Sequence, residues 1–174
     1  MFIKRIPTLL LPSYLLLTSP VYADDIQKLL SVGYSHIIIK ETPSLNGISL
    51  KYQMKTDSNK KTALQIAGTV AQKSFTTAYS KNRYRYASLS MGPAYRFSNT
   101  LELYATVGIS ALAYQAKNNP NENDSAKSLS WGTGITVTAI KNVAITIGYE
   151  GGYFKINDIS TPTYGILANI GYWF

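Results

Sequence analysis

A chain of 174 residues with a formal net charge of +8 has room for one domain and not for two of ordinary size. It contains no cysteine, which excludes disulfides and thiolate metal sites. Beyond residue 23 no apolar run is long enough for a helical membrane span, so this chain, rich in Tyr and Gly, reads as a soluble β-sandwich or a membrane barrel.

Met1 to Ala23 carries Lys4 and Arg5, an apolar run from Ile6 to Leu17, and the exit Ser19-Pro20-Val21-Tyr22-Ala23. A charged start, a short apolar core and a small residue at the exit describe a secretory signal peptide. Residues 1–23 are therefore expected to be that peptide and 24–174 the mature domain, with a net charge of about +6 once Lys4 and Arg5 are gone.

Period-two alternation then sets out eight strands in order. The first spans roughly 29–39, with Leu30, Val32, Tyr34 and Ile38 opposed by Ser31, Gly33 and Ser35. Ile48, Leu50, Tyr52 and Met54 alternate with Ser49, Lys51 and Gln53 in the second. The third covers roughly 62–74. The fourth, roughly 83–97, contains Pro93, which cannot donate to a ladder and counts against a central strand there, though a bulge would accommodate it. The fifth covers 100–116. Lys117 to Lys127 (KNNPNENDSAK) reads as a loop. The sixth strand covers 128–139, the seventh 143–156, and the eighth is the terminal stretch PTYGILANIGYWF. Short turns are expected after strands two, four and six, and longer polar connections after the others, the pattern of an up-and-down outer-membrane barrel.

The two faces decide between a membrane barrel and a soluble one. One parity carries Ile, Leu, Val, Tyr and Trp with no mid-strand charge; the other carries Lys51, Arg96, Glu102 and Glu150 among Ser, Thr and Gly. A Lys or Arg facing lipid at mid-depth costs about 2–4 kcal/mol, so the charge-free face is read as lipid-facing. The four charges are expected in the lumen as a stabilising network, since buried charges need partners. Eight strands leave an interior about filled by side chains, which argues against a pore. In the last strand Tyr172 and Phe174 stand at one end of the apolar set and Tyr164 at the other, matching rings at two membrane interfaces.

Little of the chain suggests catalysis. His36 is the only histidine, with no triad signature near it, and no metal-ligand spacing occurs. Glu122 and Asp124 in the Asn-rich loop lack the glycine and terminal Glu of a calcium loop. No enzyme activity, cofactor, metal or nucleic-acid partner is expected. The stronger signal is basic. Lys40, Lys73, Lys81, Arg83, Arg85, Lys117, Lys127 and Lys155 fall in or beside the longer connections, with Tyr79, Tyr84 and Tyr86 interleaved. Such a rim is suited to phosphates of lipopolysaccharide or to sulfated and acidic host surfaces. The opposite end is basic too, through Lys55, Lys60, Lys61 and Lys141.

The stretches VGYSH at 32–36, LNGISLKY at 45–52, SMGPAYRF at 90–97, LYATVGIS at 103–110, WGTGITV at 131–137, NVAITIGYE at 142–150 and NIGYWF at 169–174 resemble the Ail/OmpX/Lom family of small bacterial outer-membrane proteins. The resemblance implies an all-β, eight-stranded antiparallel up-and-down transmembrane barrel, with Tyr172 and Phe174 in a barrel-closing C-terminal signal read by the assembly machinery. Members of that family are linked to host-cell attachment, invasion and resistance to complement killing. The implied partners are outer-membrane lipid, lipopolysaccharide, host extracellular matrix, heparin-like polymers and complement regulators. Trp173 departs from the family's usual Arg at that position. A structural envelope protein that contacts only lipopolysaccharide is the alternative.

Overall fold

The computed structural model describes residues 26–40, 42–55, 61–76, 81–116, 124–156 and 159–174. The expected signal peptide, and the expected rim residue Lys117, lie outside them. Eight strands are present: β1 (Lys28–Ile39), β2 (Leu45–Met54), β3 (Thr62–Thr76), β4 (Lys81–Arg96), β5 (Leu101–Ala116), β6 (Asp124–Ile140), β7 (Val143–Ile156) and β8 (Ile159–Trp173). Each pairs antiparallel with its neighbours in sequence, and β1 pairs with β8 to close the barrel.

The ladder is staggered as closure requires. Starting at Leu103 on β5, cross-strand partners run through Ile135, Ile147, Ala168, Tyr34, Ile48, Val70 and Ala87, and return to β5 at Ala111. Pro93 is accommodated within β4 without a bulge. Pairing with β5 lapses at Gly92 and Pro93 and resumes in the same register, while Pro93 keeps its place opposite Leu64 on β3. The proline is accommodated by leaving one side of the ladder unpaired. The register shift instead lies between Thr138 and Ile140, beside the tight Lys141-Asn142 turn. There Asn142 takes φ 74, a left-handed conformation Asn tolerates. It accepts from the Trp173 N–H at 2.8 Å and donates its side-chain amide to the Trp173 carbonyl at 3.2 Å, tying the turn to the last strand.

Several strands run further out than alternation predicts. The segment Asp124–Lys127, expected in a loop, is the start of β6 and pairs with Ala111 to Tyr114. Pairing between β3 and β4 continues to Thr76 and Lys81. The ends of these expected outer connections are therefore paired strand. Past the lipid head groups both faces meet water, so the apolar alternation stops while the hydrogen-bonded ladder continues.

The faces follow the expected parity. Val32, Ile48, Leu50, Leu89, Val107, Ile109, Leu129, Ile147, Ile166 and Ile170 are exposed on the outer wall, while Ser31, Ser49, Lys51, Gln53, Gln65, Thr69, Glu102, Thr146, Glu150 and Asn169 are buried inside. Tyr172 and Phe174 stand on the outer wall at one end, with Tyr95 and Phe97, and Trp131, Tyr149 and Tyr164 form a ring ladder nearer the other.

Candidate functional site

The inward parity forms three levels. At the turn end, Leu29, Ala144 and Trp173 form a small apolar floor. The middle is polar. Toward the outer end Ile37, Ile39, Leu45, Ala71, Tyr86, Leu112 and Phe154 close the lumen with an apolar plug. The sequence reading took the whole lumen as polar and did not anticipate this plug. Its signal was present, since Ile37-Ile38-Ile39 breaks alternation and Leu112 and Phe154 sit on the polar parity. Among the described residues, packed apolar side chains thus stand across the lumen toward both ends.

The four lumen charges do not form one network. Glu102 is the hub of a cluster at the turn end. Its Oε1 meets Lys55 Nζ at 2.5 Å and Arg96 Nε at 3.3 Å, and its Oε2 accepts from Gln53 Nε2 at 2.6 Å. Glu150 lies separately under the plug, accepting from the Tyr86 hydroxyl and from Thr69 Oγ1 at 3.1 Å. Lys51 joins neither acid. Among the described residues its buried Nζ has no hydrogen-bond partner, and it sits 3.7 Å from the centre of the Tyr104 ring, a cation–π contact.

Lys55 lies at the turn end, where it was expected among the basic residues, but its side chain turns inward. It is buried, one residue past β2, and lies 3.7 Å over the Trp173 ring while paired with Glu102. Burial pushes its ammonium below the ordinary lysine range, Glu102 raises it, and Arg96 beside it lowers it again. Parity would have found it, since Lys55 continues the inward series Ser49, Lys51, Gln53.

Lumen glycines make room for a neighbour. A Cβ on Gly148 would lie 2.0 Å from the Tyr104 hydroxyl, and one on Gly134 would lie 2.5 Å from it. The large Tyr104 side chain thus occupies space that β6 and β7 leave empty.

At the outer end the basic residues divide by parity. Arg85, Lys127, Lys155 and Lys40 are exposed on the outer-wall parity, with Arg83 half-buried beside them, donating from Nε to Ser74 Oγ at 3.3 Å. Lys73 shares its parity with the lumen residues Thr69 and Ala71, yet is exposed. The backbone of Lys81 is the start of β4, opposite Thr76. Lys73 is opposite Tyr84, whose ring contacts Phe75 at 5.8 Å and Tyr114 at 5.0 Å between centroids. Arg85 and Lys127 flank β5 just above the apolar wall. Below them a groove of about 560 Å³ runs between Leu89, Ile109 and Leu129, floored by Ala87 and Ala111 and reached by Lys127.

His36 meets Asn46, Nδ1 to Oδ1 at 2.7 Å, on a strand pair whose outer wall also brings the Tyr34 hydroxyl to Asn46 at 2.8 Å. That is a polar belt contact. Among the described residues no group of His, Asp or Glu is arranged to hold a metal ion.

Comparison with known proteins places these features in context. Residues 14–174 match the family model of the outer membrane protein beta-barrel domain. The chain is 26% identical to virulence membrane protein PagC of Salmonella typhimurium, covering 96% of each chain, and 31% identical to outer membrane protein X of Enterobacter cloacae, covering 74% of each. Its fold is similar to that of Ail, the attachment invasion locus protein of Yersinia pestis, in a crystal structure with the heparin analogue sucrose octasulfate. The TM-score is 0.74 at 22% identity, over 86% of this chain and 99% of that one.

Proposed function

The chain belongs to the outer membrane protein beta-barrel domain family, of the Ail/OmpX type, and from that premise we propose that it is a non-enzymatic surface protein whose basic outer end captures sulfated or acidic polymers of host surfaces. The observation that carries the reading is the placement of Lys73, Arg83 and Arg85 on one paired sheet, β3–β4, held out past the apolar wall by a rigid barrel. Paired backbone fixes the cations without a large ordering cost on binding, and guanidinium forks suit sulfate and phosphate oxygens. The crystallised Yersinia pestis relative with a heparin analogue supports a heparin-like ligand class. Attachment, invasion and complement resistance are the roles such capture serves, with Lys40, Lys81, Lys117, Lys127 and Lys155 adding to the field. Tyr172 and Phe174 serve as the end that the assembly machinery reads.

One observation favours a second role for part of the same set. Arg85 and Lys127 sit on the outer-wall parity beside the apolar groove, where an anionic head group above an acyl chain would meet both. Lipopolysaccharide contact by these two would anchor the barrel in the envelope.

The test displays the protein on a non-adherent bacterium and counts cells retained on heparin- and laminin-coated wells. Wild type is compared at matched surface levels with Lys73, Lys81, Arg83 and Arg85 all changed to Gln. Retention of wild type and loss in the variant supports the adhesive reading. Wild-type retention equal to that of empty cells removes it for these ligands and leaves the envelope role.

A further inference from the structure

At the turn end a polar pocket of about 220 Å³ opens, lined by Lys55, Arg96, Asn99, Asn142 and Trp173 among others. Its charge is unbalanced. Two cations line it and, among the described residues, Glu102 is the one side-chain carboxylate beside them, with Oε1 taken by Lys55 and Arg96 and Oε2 by Gln53. Glu102 therefore neutralises one cation and leaves a net positive charge. The same end carries Lys28, Lys61 and Lys141, and among the described residues no other acidic side chain.

Donors remain unspent. Arg96 uses Nε on Glu102 and one terminal nitrogen on Gln27 Oε1 at 3.2 Å, so the rest of its guanidinium is available to the pocket. Asn99 stands exposed on the turn between β4 and β5. Lys55 is buried, which strengthens its attraction for an anion that reaches it, because the surroundings screen less than water does.

We propose that this pocket binds a small oxyanion, a carboxylate or a phosphate group, between Arg96 and Lys55 on the inner side of the membrane. The fork of Arg96 suits the paired oxygens of either group, and Lys55 supplies a second positive point. The site is at the opposite end of the barrel from the outer basic surface and does not depend on the role proposed for that surface.

Trp173 reports on it directly, since Lys55 lies over its ring. Of the two tryptophans, Trp131 is on the outer wall, so a Trp131→Phe protein carries Trp173 as its only tryptophan. This protein, folded in phosphate-free zwitterionic detergent, is titrated with sodium phosphate, sodium acetate and, for ionic strength, sodium chloride, following Trp173 emission. The expected result is a saturable change with half-saturation on the order of 1 mM for phosphate, acetate or both, and none with chloride. Saturation by phosphate alone identifies a phosphate site, and by acetate alone a carboxylate site. Adding Arg96→Gln weakens binding at least about tenfold. Adding Asn99→Asp instead, which sets a negative charge on an exposed turn without touching the Glu102 cluster, does the same in a barrel that folds normally. Emission that follows ionic strength alike in all three salts, or titrations unchanged in Asn99→Asp and in folded Arg96→Gln, would overturn the proposal.

Discussion

The Glu102 cluster makes a sharp energetic prediction. Glu102 accepts from Lys55, Arg96 and Gln53 within a buried setting, and the Lys55 ammonium also lies over the Trp173 ring. Glu102→Gln keeps the shape of the side chain and removes its charge, leaving two cations beside one another. Loss of one member of a buried pair costs about 3–5 kcal/mol, so the variant should lose that much stability. The companion variant Glu102→Gln/Lys55→Met removes the stranded ammonium and places an apolar chain over Trp173. It should recover at least about 2 kcal/mol of the loss, because an apolar replacement of a buried ion pair is often neutral. Equilibrium urea unfolding in phospholipid vesicles, followed by tryptophan emission and by the gel mobility of unheated samples, measures both. A Glu102→Gln protein within about 0.5 kcal/mol of wild type, or a double variant less stable than the single, would refute this account of the cluster.

Three further outcomes follow from the wall and the lumen. Gly148→Ala should cost about 1–3 kcal/mol by forcing a methyl group against the Tyr104 hydroxyl, and Tyr104→Phe should restore most of it, since that hydroxyl has no hydrogen-bond partner among the described residues; urea midpoints of the two variants decide this. Val107, 69% exposed in the middle of β5, faces lipid, so Val107→Arg should destabilise the barrel in vesicles by about 2–4 kcal/mol; no loss would place that wall in water. Lys51→Met should leave stability unchanged or raise it by about 1 kcal/mol, because among the described residues its buried ammonium has no hydrogen-bond partner; a large loss in the same unfolding assay would show that Lys51 is satisfied in solution.

The barrel was legible because lipid and lumen impose opposite chemistry on alternate residues. Eight runs of period two, and a terminal strand with rings at both ends, suffice for strand number and facing. Reading failed where that contrast fades. Asp124 to Lys127 turns Ser125 and Lys127 outward and only the small Ala126 inward against the plug, so its pairing with β5 left no apolar outer face to detect. The plug escaped because Ile37, Leu112 and Phe154 make the inward face apolar near the outer end, which a two-letter pattern cannot separate from the lipid face. Charge was legible as location but not as pairing. Glu102 and Glu150 share a parity, yet the stagger of the ladder puts Glu102 by the turn end with Lys55 and Glu150 by the plug with Tyr86. Partners across a closed barrel depend on its stagger, which sequence spacing does not carry. The outer cations were found as a set, without the parity that separates those on the wall from Lys73.

The central claim is that the basic outer end itself binds sulfated polymer. The direct measurement uses the purified barrel in phospholipid nanodiscs free of lipopolysaccharide, with heparin binding followed from about 50 to about 300 mM salt, a range over which screening lengths shorten markedly. The account predicts saturable binding at low salt that weakens steeply as salt rises and is lost when Lys73, Lys81, Arg83 and Arg85 are all Gln. Absence of binding at low salt, or binding indifferent to both salt and those substitutions, would contradict it.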